Sequence, residues 1–362
     1  VEAGGKPLKI INAVLSKQNG GLEQASVDYA NALRLYGHDV TMLVGDRCPF
    51  TADVLATDSE IYTLTNRFGH MDFPAMWQLR RWLKTHRPDV IFAHGNRAVS
   101  LLRKAAVGIA PVVSVNHTTS VKRSLDGDGV IMVNAQLKQA LLDCGHKNPH
   151  TIWVLPNMVT VTPEQAARRI APMPQTPPVI GALARFSPEK GLFVLLESLA
   201  ILKNKGVTFR VRVGGDGPMR NEIEAAIRQH GLVDDVELCG WVADRDAFYD
   251  SLDVYCLPSL AETFGIVVLE AMQRKLPVVA TSCVGVNQLT DGRDAALLVP
   301  VGDAVALADA LERMLADWPL AQHYAAAGYA LVSEKYDIQI VAGQLQKIMT
   351  EVIAHYTKGV DA

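Results

Sequence analysis

A chain of 362 residues with a formal net charge of −3 carries no basic footprint, which argues against a general nucleic-acid binder. Hydrophobic residues at 49% and charged residues at 20% give an ordinary globular profile, and no apolar run approaches the roughly 18 residues of a membrane span. The length suits two domains, each able to bury its own core.

In chain order, residues 8–15 (LKIINAVL) read as a buried strand, followed by a glycine-containing loop and a helix from Leu22 to about Tyr36. Gly37 suits the C′ position, and residues 38–44 form the next strand. Residues 87–93 lead to His94-Gly95 and a helix, 111–116 lead to His117, 130–133 lead to a helix through Leu142, and 151–155 end at Pro156-Asn157. Residues 162–178 carry five prolines and read as a linker after a first domain of 1–161. A second alternation spans 179–337, with strands at 179–184, 209–213, 236–239, 253–257, 277–280 and 296–299. Residues 338–362 read as an amphipathic helix that crosses back to the first domain. Strands alternating with helices imply an α/β fold of two doubly wound parallel sheets, with ligands beyond the strands' carboxyl ends in a central cleft. Cys48, Cys144, Cys239, Cys256 and Cys283 lie far apart, as reduced thiols in a cytosolic protein would. The opening VEAGGKPLK shows no signal-peptide core, so a cytoplasmic location is expected.

Several loops could carry chemistry. Asn19-Gly20-Gly21 opens a helix after a strand, where backbone amides can approach an anion; a tight turn explains it equally. His94 and His117 end two strands, and an imidazole there could donate to a substrate oxygen or act as a base, or be satisfied within the fold. Arg185 and Lys190 bracket the turn after the second domain's first strand, a good place to neutralise a diphosphate. Gly214-Gly-Asp-Gly could line a nucleotide pocket or form a plain turn, and Trp241-Val242 could face a base or pack in the fold. Glu262 lies in a turn and Glu270 eight residues on, in a helix, where a carboxylate can pair with vicinal hydroxyls. The helix N-terminal amides of Phe264, Gly265 and Ile266 can hold hydroxyls or charge. Asp126-Gly-Asp128 and Asp244-Arg-Asp246 resemble metal-binding pairs, but a glycine turn and helix capping explain them, and no metal is expected. Residues 76–87 (MWQLRRWLKTHR) mix tryptophans with cations and suit either an anionic membrane surface or an ordinary sheet-covering helix.

Taken together, these residues resemble glycosyltransferase family 4, retaining enzymes of GT-B fold. The resemblance is strongest over 179–303 and weaker in the first domain. Its most specific part is Glu262-Thr-Phe-Gly-Ile-Val-Val-Leu-Glu270, with Pro258-Ser259 before it and Ala271-Met272 after it. Arg185, Lys190-Gly191, Gly20-Gly21, His117 and Pro156-Asn157 also match family positions. The resemblance implies metal-independent transfer of a sugar from a UDP- or GDP-sugar to a glycan or lipid-linked acceptor, with no separate cofactor, in lipopolysaccharide or other surface-glycan assembly. Glu262, Thr263, Phe264, Gly265 and Ile266 would hold the donor sugar, Glu270 the ribose, and Arg185 and Lys190, with Gly20-Gly21, the diphosphate. His117 would contact the sugar, and Gly214, Trp241 and Val242 would line the base pocket. Acceptor contacts would come from the first domain, including His94, Lys122 and Arg123. The chain departs from the family pattern at Ala184, at Lys275 (where glycine is usual), at Gly285-Val-Asn-Gln288, whose usual acid is missing, and at Met158. Alternatives are an epimerase or phosphorylase on the same fold, or a catalytically silent sugar-nucleotide binder.

Overall fold

Apolar runs such as KIINAV and VIFAH are too continuous for a sheet with one wet face, and both are central strands of a sheet buried on both sides. The computed structural model describes residues 6–16, 20–46, 48, 58–65, 72–118, 128–146, 148–168 and 174–360, with side chains to 357. Two compact units result: Val1–Met158 with Ile338–Ala362, and Val159–Asp337.

The first unit holds β1 (Lys9–Val14), β2 (Asp39–Gly45), β3 (Glu60–Leu64), β4 (Val90–His94), β5 (Val112–Asn116), β6 (Gly129–Met132) and β7 (Ile152–Val154). Their order is β3-β2-β1-β4-β5-β6-β7, all parallel. β3 has no counterpart among the expected strands. It is a short edge strand, partly exposed, and so lacks a buried apolar run. One face of the sheet is covered by the helices Gly21–Arg34 and Ile338–Val360. The latter buries Ile338, Val341, Leu345, Ile348, Met349 and Val352 at helical spacing, each contributing roughly 1.5–3 kcal/mol of apolar burial. The other face is covered by Phe73–His86 and Gly95–Ala105.

In the second unit, β8 (Val179–Leu183), β9 (Arg210–Gly214), β10 (Val236–Gly240), β11 (Val254–Leu257), β12 (Val278–Thr281) and β13 (Leu297–Val299) take the order β10-β9-β8-β11-β12-β13. Strand order reverses between β8 and β11, which is where ligands bind in open α/β sheets.

The proline-rich stretch read as a linker is partly structured and tied to the second unit. Thr162 and Gln165 form a reciprocal capping box on the short helix Pro163–Ala167. Further on, the Gln175 amide donates to Asp253 and its side chain to the Ser251 carbonyl. Among the described residues no helix is long and apolar enough to cross a membrane.

Candidate functional site

The β8/β11 switch point brings together the loops that carry Lys190 and Glu262. The amides of Leu260 and Ala261 donate to the Glu189 carbonyl at 2.8 and 3.2 Å. Gly191 is left-handed (φ 65°), and a Cβ there would stand 2.0 Å from the Pro258 oxygen, so only glycine permits this approach. The contact places Lys190 Nζ 2.5 Å from Glu262 Oε1. On the far side, the Gly285 amide donates to the Glu262 carbonyl at 3.1 Å, and a Cβ on Gly285 would meet that oxygen at 2.5 Å. Gly285 is therefore needed as a glycine although its neighbours depart from the family pattern.

Gly265, with φ 98°, turns the chain into the helix Ile266–Gln273, whose first amides have no partner within the helix. Phe264 anchors that turn, buried edge-to-face on Tyr336 at 5.8 Å. Arg185 is exposed at the end of β8. Near it the Glu189 carboxylate is held below its usual range, first by the Ser187 hydroxyl at 2.5 Å and then by its own backbone amide, with Lys190 and Arg185 adding to the effect.

Glu270 lies about one turn into the same helix and is 7% exposed. Tyr249 Oη donates to its Oε2 at 2.7 Å, and Arg245 pairs with its Oε1. Burial pushes its pKa up, and the Arg245 guanidinium opposes that shift. Beyond β10, Trp241 is 59% exposed.

The glycines of Gly214-Gly-Asp-Gly217 serve packing between loops. A Cβ on Gly215 (φ 118°) would fall 1.9 Å from the Ala184 oxygen, and one on Gly217 would fall 2.5 Å from the Phe186 oxygen. The Gly215 amide also donates to the Gly240 carbonyl at 2.7 Å. The carboxyl-end loops of β8, β9, β10 and β11 are thus bound directly to one another or through a shared neighbour.

The aspartate pairs have other work. Asp244 Oδ1 caps the helix Arg245–Asp250 through the Ala247 amide at 2.9 Å, and Asp246 pairs with Arg274. Asp128 accepts from the Val112 amide at 2.9 Å. Asn19, Lys122, Arg123 and Asp126 lie outside the described residues.

Lys275, the departure at the end of the Glu270 helix, is left-handed, with φ 58°. Its ammonium donates to the carbonyls of Ala166 and Arg168, each at 2.7 Å, and lies 4.4 Å from the Tyr329 ring centre. These contacts fasten the segment after Met158 to the second unit and offset a strain of about 1–2 kcal/mol. Lys275→Ala is expected to cost about 2 kcal/mol, and Lys275→Gly about 1 kcal/mol less, because glycine relieves the strain. Urea unfolding of the two variants checks the order.

In the first unit, both candidate histidines belong to one hydrogen-bonded network. Asn12, the one buried polar residue in the LKIINAVL run, donates Nδ2 to the Ser26 carbonyl at 2.6 Å and faces His94 Nε2 with Oδ1 at 2.8 Å. That fixes His94 with its proton on Nε2, leaving Nδ1 to accept from His117 Nε2 at 3.1 Å. His94 is 1% exposed, so its imidazole is a core group and not an acceptor contact. The other nitrogen of His117, Nδ1, is buried beside the Asn157 side chain. The ring therefore turns both nitrogens inward, while its side helps line a pocket of about 130 Å³ with Leu22, Gly95, Asn96 and Asn116. Burial drives the His117 pKa down to about 4, against the pull of Asn157, and drives that of His94 lower than usual, with His117 adding to the effect. Both rings are neutral at pH 7.

Gly20 is extended (φ −179°), and a Cβ there would meet only Glu23 Oε2 at 3.4 Å, so its backbone makes no demand for glycine. Sequence reasoning missed Arg245, Tyr249 and Asn12. The isolated asparagine in an apolar strand was a usable sign of a buried network; Arg245 was masked by its place in an acidic pair.

Residues 19–162 match the family model Glycosyltransferase Family 4, and residues 177–317 match Glycosyl transferases group 1. The chain is 29% identical over 367 residues to the phosphatidyl-myo-inositol mannosyltransferase of Mycobacterium leprae, spanning 94% of this chain and 95% of that protein. It is 26% identical over 317 residues to the lipopolysaccharide core biosynthesis glycosyltransferase LpsE of Rhizobium meliloti, spanning 86% and 90%. Among solved structures, Anabaena Alr3699/HepE in complex with UDP and glucose superposes with a TM-score of 0.80 at 21% identity, covering 95% of this chain and 99% of that one.

Proposed function

Because this chain belongs to the family 4 glycosyltransferases and has their GT-B fold, we propose that it moves a sugar from a UDP- or GDP-sugar to a hydroxyl acceptor, without a metal and with retention at the anomeric carbon. The observation that carries this reading is the Lys190–Glu262 pair at the β8/β11 switch point, beside the amino-terminal turn of the helix Ile266–Gln273. A cation and free amides suit a departing diphosphate, and a carboxylate suits sugar hydroxyls. Glu262 and the amides of Phe264 to Ile266 hold the sugar, Arg185 and Lys190 the diphosphate, Glu270 the ribose, and Trp241 the base. The bond from the anomeric carbon to the diphosphate breaks as the acceptor oxygen bonds on the same face. The acceptor proton passes to the departing phosphate oxygen. The protein supplies position and electrostatics and no nucleophile.

A thermal-shift screen of UDP-, GDP- and ADP-sugars tests the donor. One UDP- or GDP-sugar should raise the melting temperature in proportion to its affinity, and no shift with any of them would sink the reading. Product analysis with donor alone separates transfer from epimerisation, which needs no acceptor.

The relatives named for phosphatidyl-myo-inositol and lipopolysaccharide chemistry favour an acceptor anchored in a membrane. The helix Phe73–His86 supports the same view. It leaves Phe73 66% and Trp77 67% exposed, sets the Arg81 guanidinium 5.8 Å over the Trp77 ring, and carries no acidic residue. Co-sedimentation should show binding to vesicles containing phosphatidylglycerol and little to pure phosphatidylcholine. The double variant Phe73→Ser/Trp77→Ser should stay in the supernatant; equal pelleting of both proteins would remove this face from the proposal.

A further inference from the structure

Glu270 sits deeper than Glu262, and it is held by two side chains that the donor reading leaves without a role. Both come from the short helix Arg245–Asp250, one turn apart and on one face. Asp244 caps that helix, so the pair is presented from a fixed element. Arg245 bonds Oε1, and the Tyr249 hydroxyl donates to Oε2. An ionised carboxylate offers about four acceptor positions, so one on each oxygen stays available. Two acceptors side by side match the two O–H groups of a vicinal diol.

We propose that Arg245 and Tyr249 are positioning residues that hold Glu270 as a two-oxygen acceptor for the ribose diol, and so set the preference for ribonucleotides over 2′-deoxyribonucleotides. The assignment rests on the donor reading above. Charge balance supports it. Burial pushes the Glu270 pKa up, Asp246 adds to that, and Arg245, Tyr249 and Arg274 oppose it; Tyr255 on β11 also faces the carboxylate. Arg245 is the largest of the opposing influences. Without it the carboxyl takes up a proton at higher pH, and a protonated carboxyl has one acceptor fewer. The ionised form exists above the pKa and is lost as pH falls, so binding by an Arg245 variant weakens toward acid.

The test is calorimetry on the full chain with UDP, GDP and their 2′-deoxy forms near pH 6 and pH 8. Wild type should prefer the ribonucleotide by about tenfold or more at both pH values. Arg245→Met should reduce that preference to about twofold, with ribonucleotide affinity falling more near pH 6 than near pH 8. Arg245→Lys should restore much of both, since an ammonium also keeps Glu270 ionised. Tyr249→Phe, which keeps the buried ring, should reduce the preference with a smaller pH dependence than Arg245→Met, because the Tyr249 hydroxyl opposes the shift less than Arg245 does. A wild-type ratio and pH profile in Arg245→Met would overturn the assignment, as would an equal loss for ribo and deoxy forms, which would place Arg245 on the phosphates. Failure of wild type to bind either diphosphate would overturn the donor reading itself, and this assignment with it.

Discussion

Glu262→Ala is expected to leave a folded protein that transfers sugar at least 10²–10³-fold more slowly, the range for removing one preorganised electrostatic group. The side chain can be removed without releasing its loop, because Gly285 bonds the Glu262 main-chain carbonyl and not the carboxylate. Lys190, which loses its partner, is partly exposed and can turn to water, so the stability cost should be about 1 kcal/mol or less. Transfer assays alongside thermal melts separate the two effects. Glu262→Gln, which keeps shape and loses charge, apportions them further. Turnover near wild type in Glu262→Ala would remove this residue from the reaction.

Gly191→Ala should be among the most damaging small substitutions in the second unit. The residue is left-handed, which costs an L-residue roughly 1–2 kcal/mol, and its new methyl would be driven into the Pro258 carbonyl at 2.0 Å. A loss on the order of 3 kcal/mol is expected, together with loss of nucleotide binding, because separating the loops also separates Lys190 from Glu262. Urea unfolding and calorimetry check both. Gly20→Ala is the control: its extended backbone and open surroundings predict little change. Stability within about 0.5 kcal/mol of wild type for Gly191→Ala would show that the two loops do not depend on each other.

Much of this protein was legible in its sequence because a parallel sheet needs continuous apolar strands and each crossover helix a periodic face. Those patterns marked twelve of the thirteen strands among the described residues. The exception, β3, is an edge strand whose half-exposed residues follow no buried pattern. The run from Glu262 to Glu270 was also legible, since a local turn and helix N-terminus lie within one short stretch. Pairings between distant residues were not. Nothing local to Lys190 points to Glu262, 72 positions away, or to the Pro258 carbonyl that makes Gly191 obligatory. The same holds for Lys275, which by sequence is only a strained misfit. Its ammonium finds carbonyls 107 and 109 residues earlier in the chain.

Composition, periodicity and the glutamate run determined the fold class, the family and the second unit's candidate residues, because each depends on neighbours along the chain. Tertiary structure alone decided which candidates meet and which are occupied. It joined Lys190 to Glu262, gave Glu270 its Arg245 and Tyr249 supports, and turned His94 toward Asn12 and His117. The physical reason is that a buried charge or imidazole must find its partner in space, and the sheet's strand order, not the sequence interval, sets which groups are close enough.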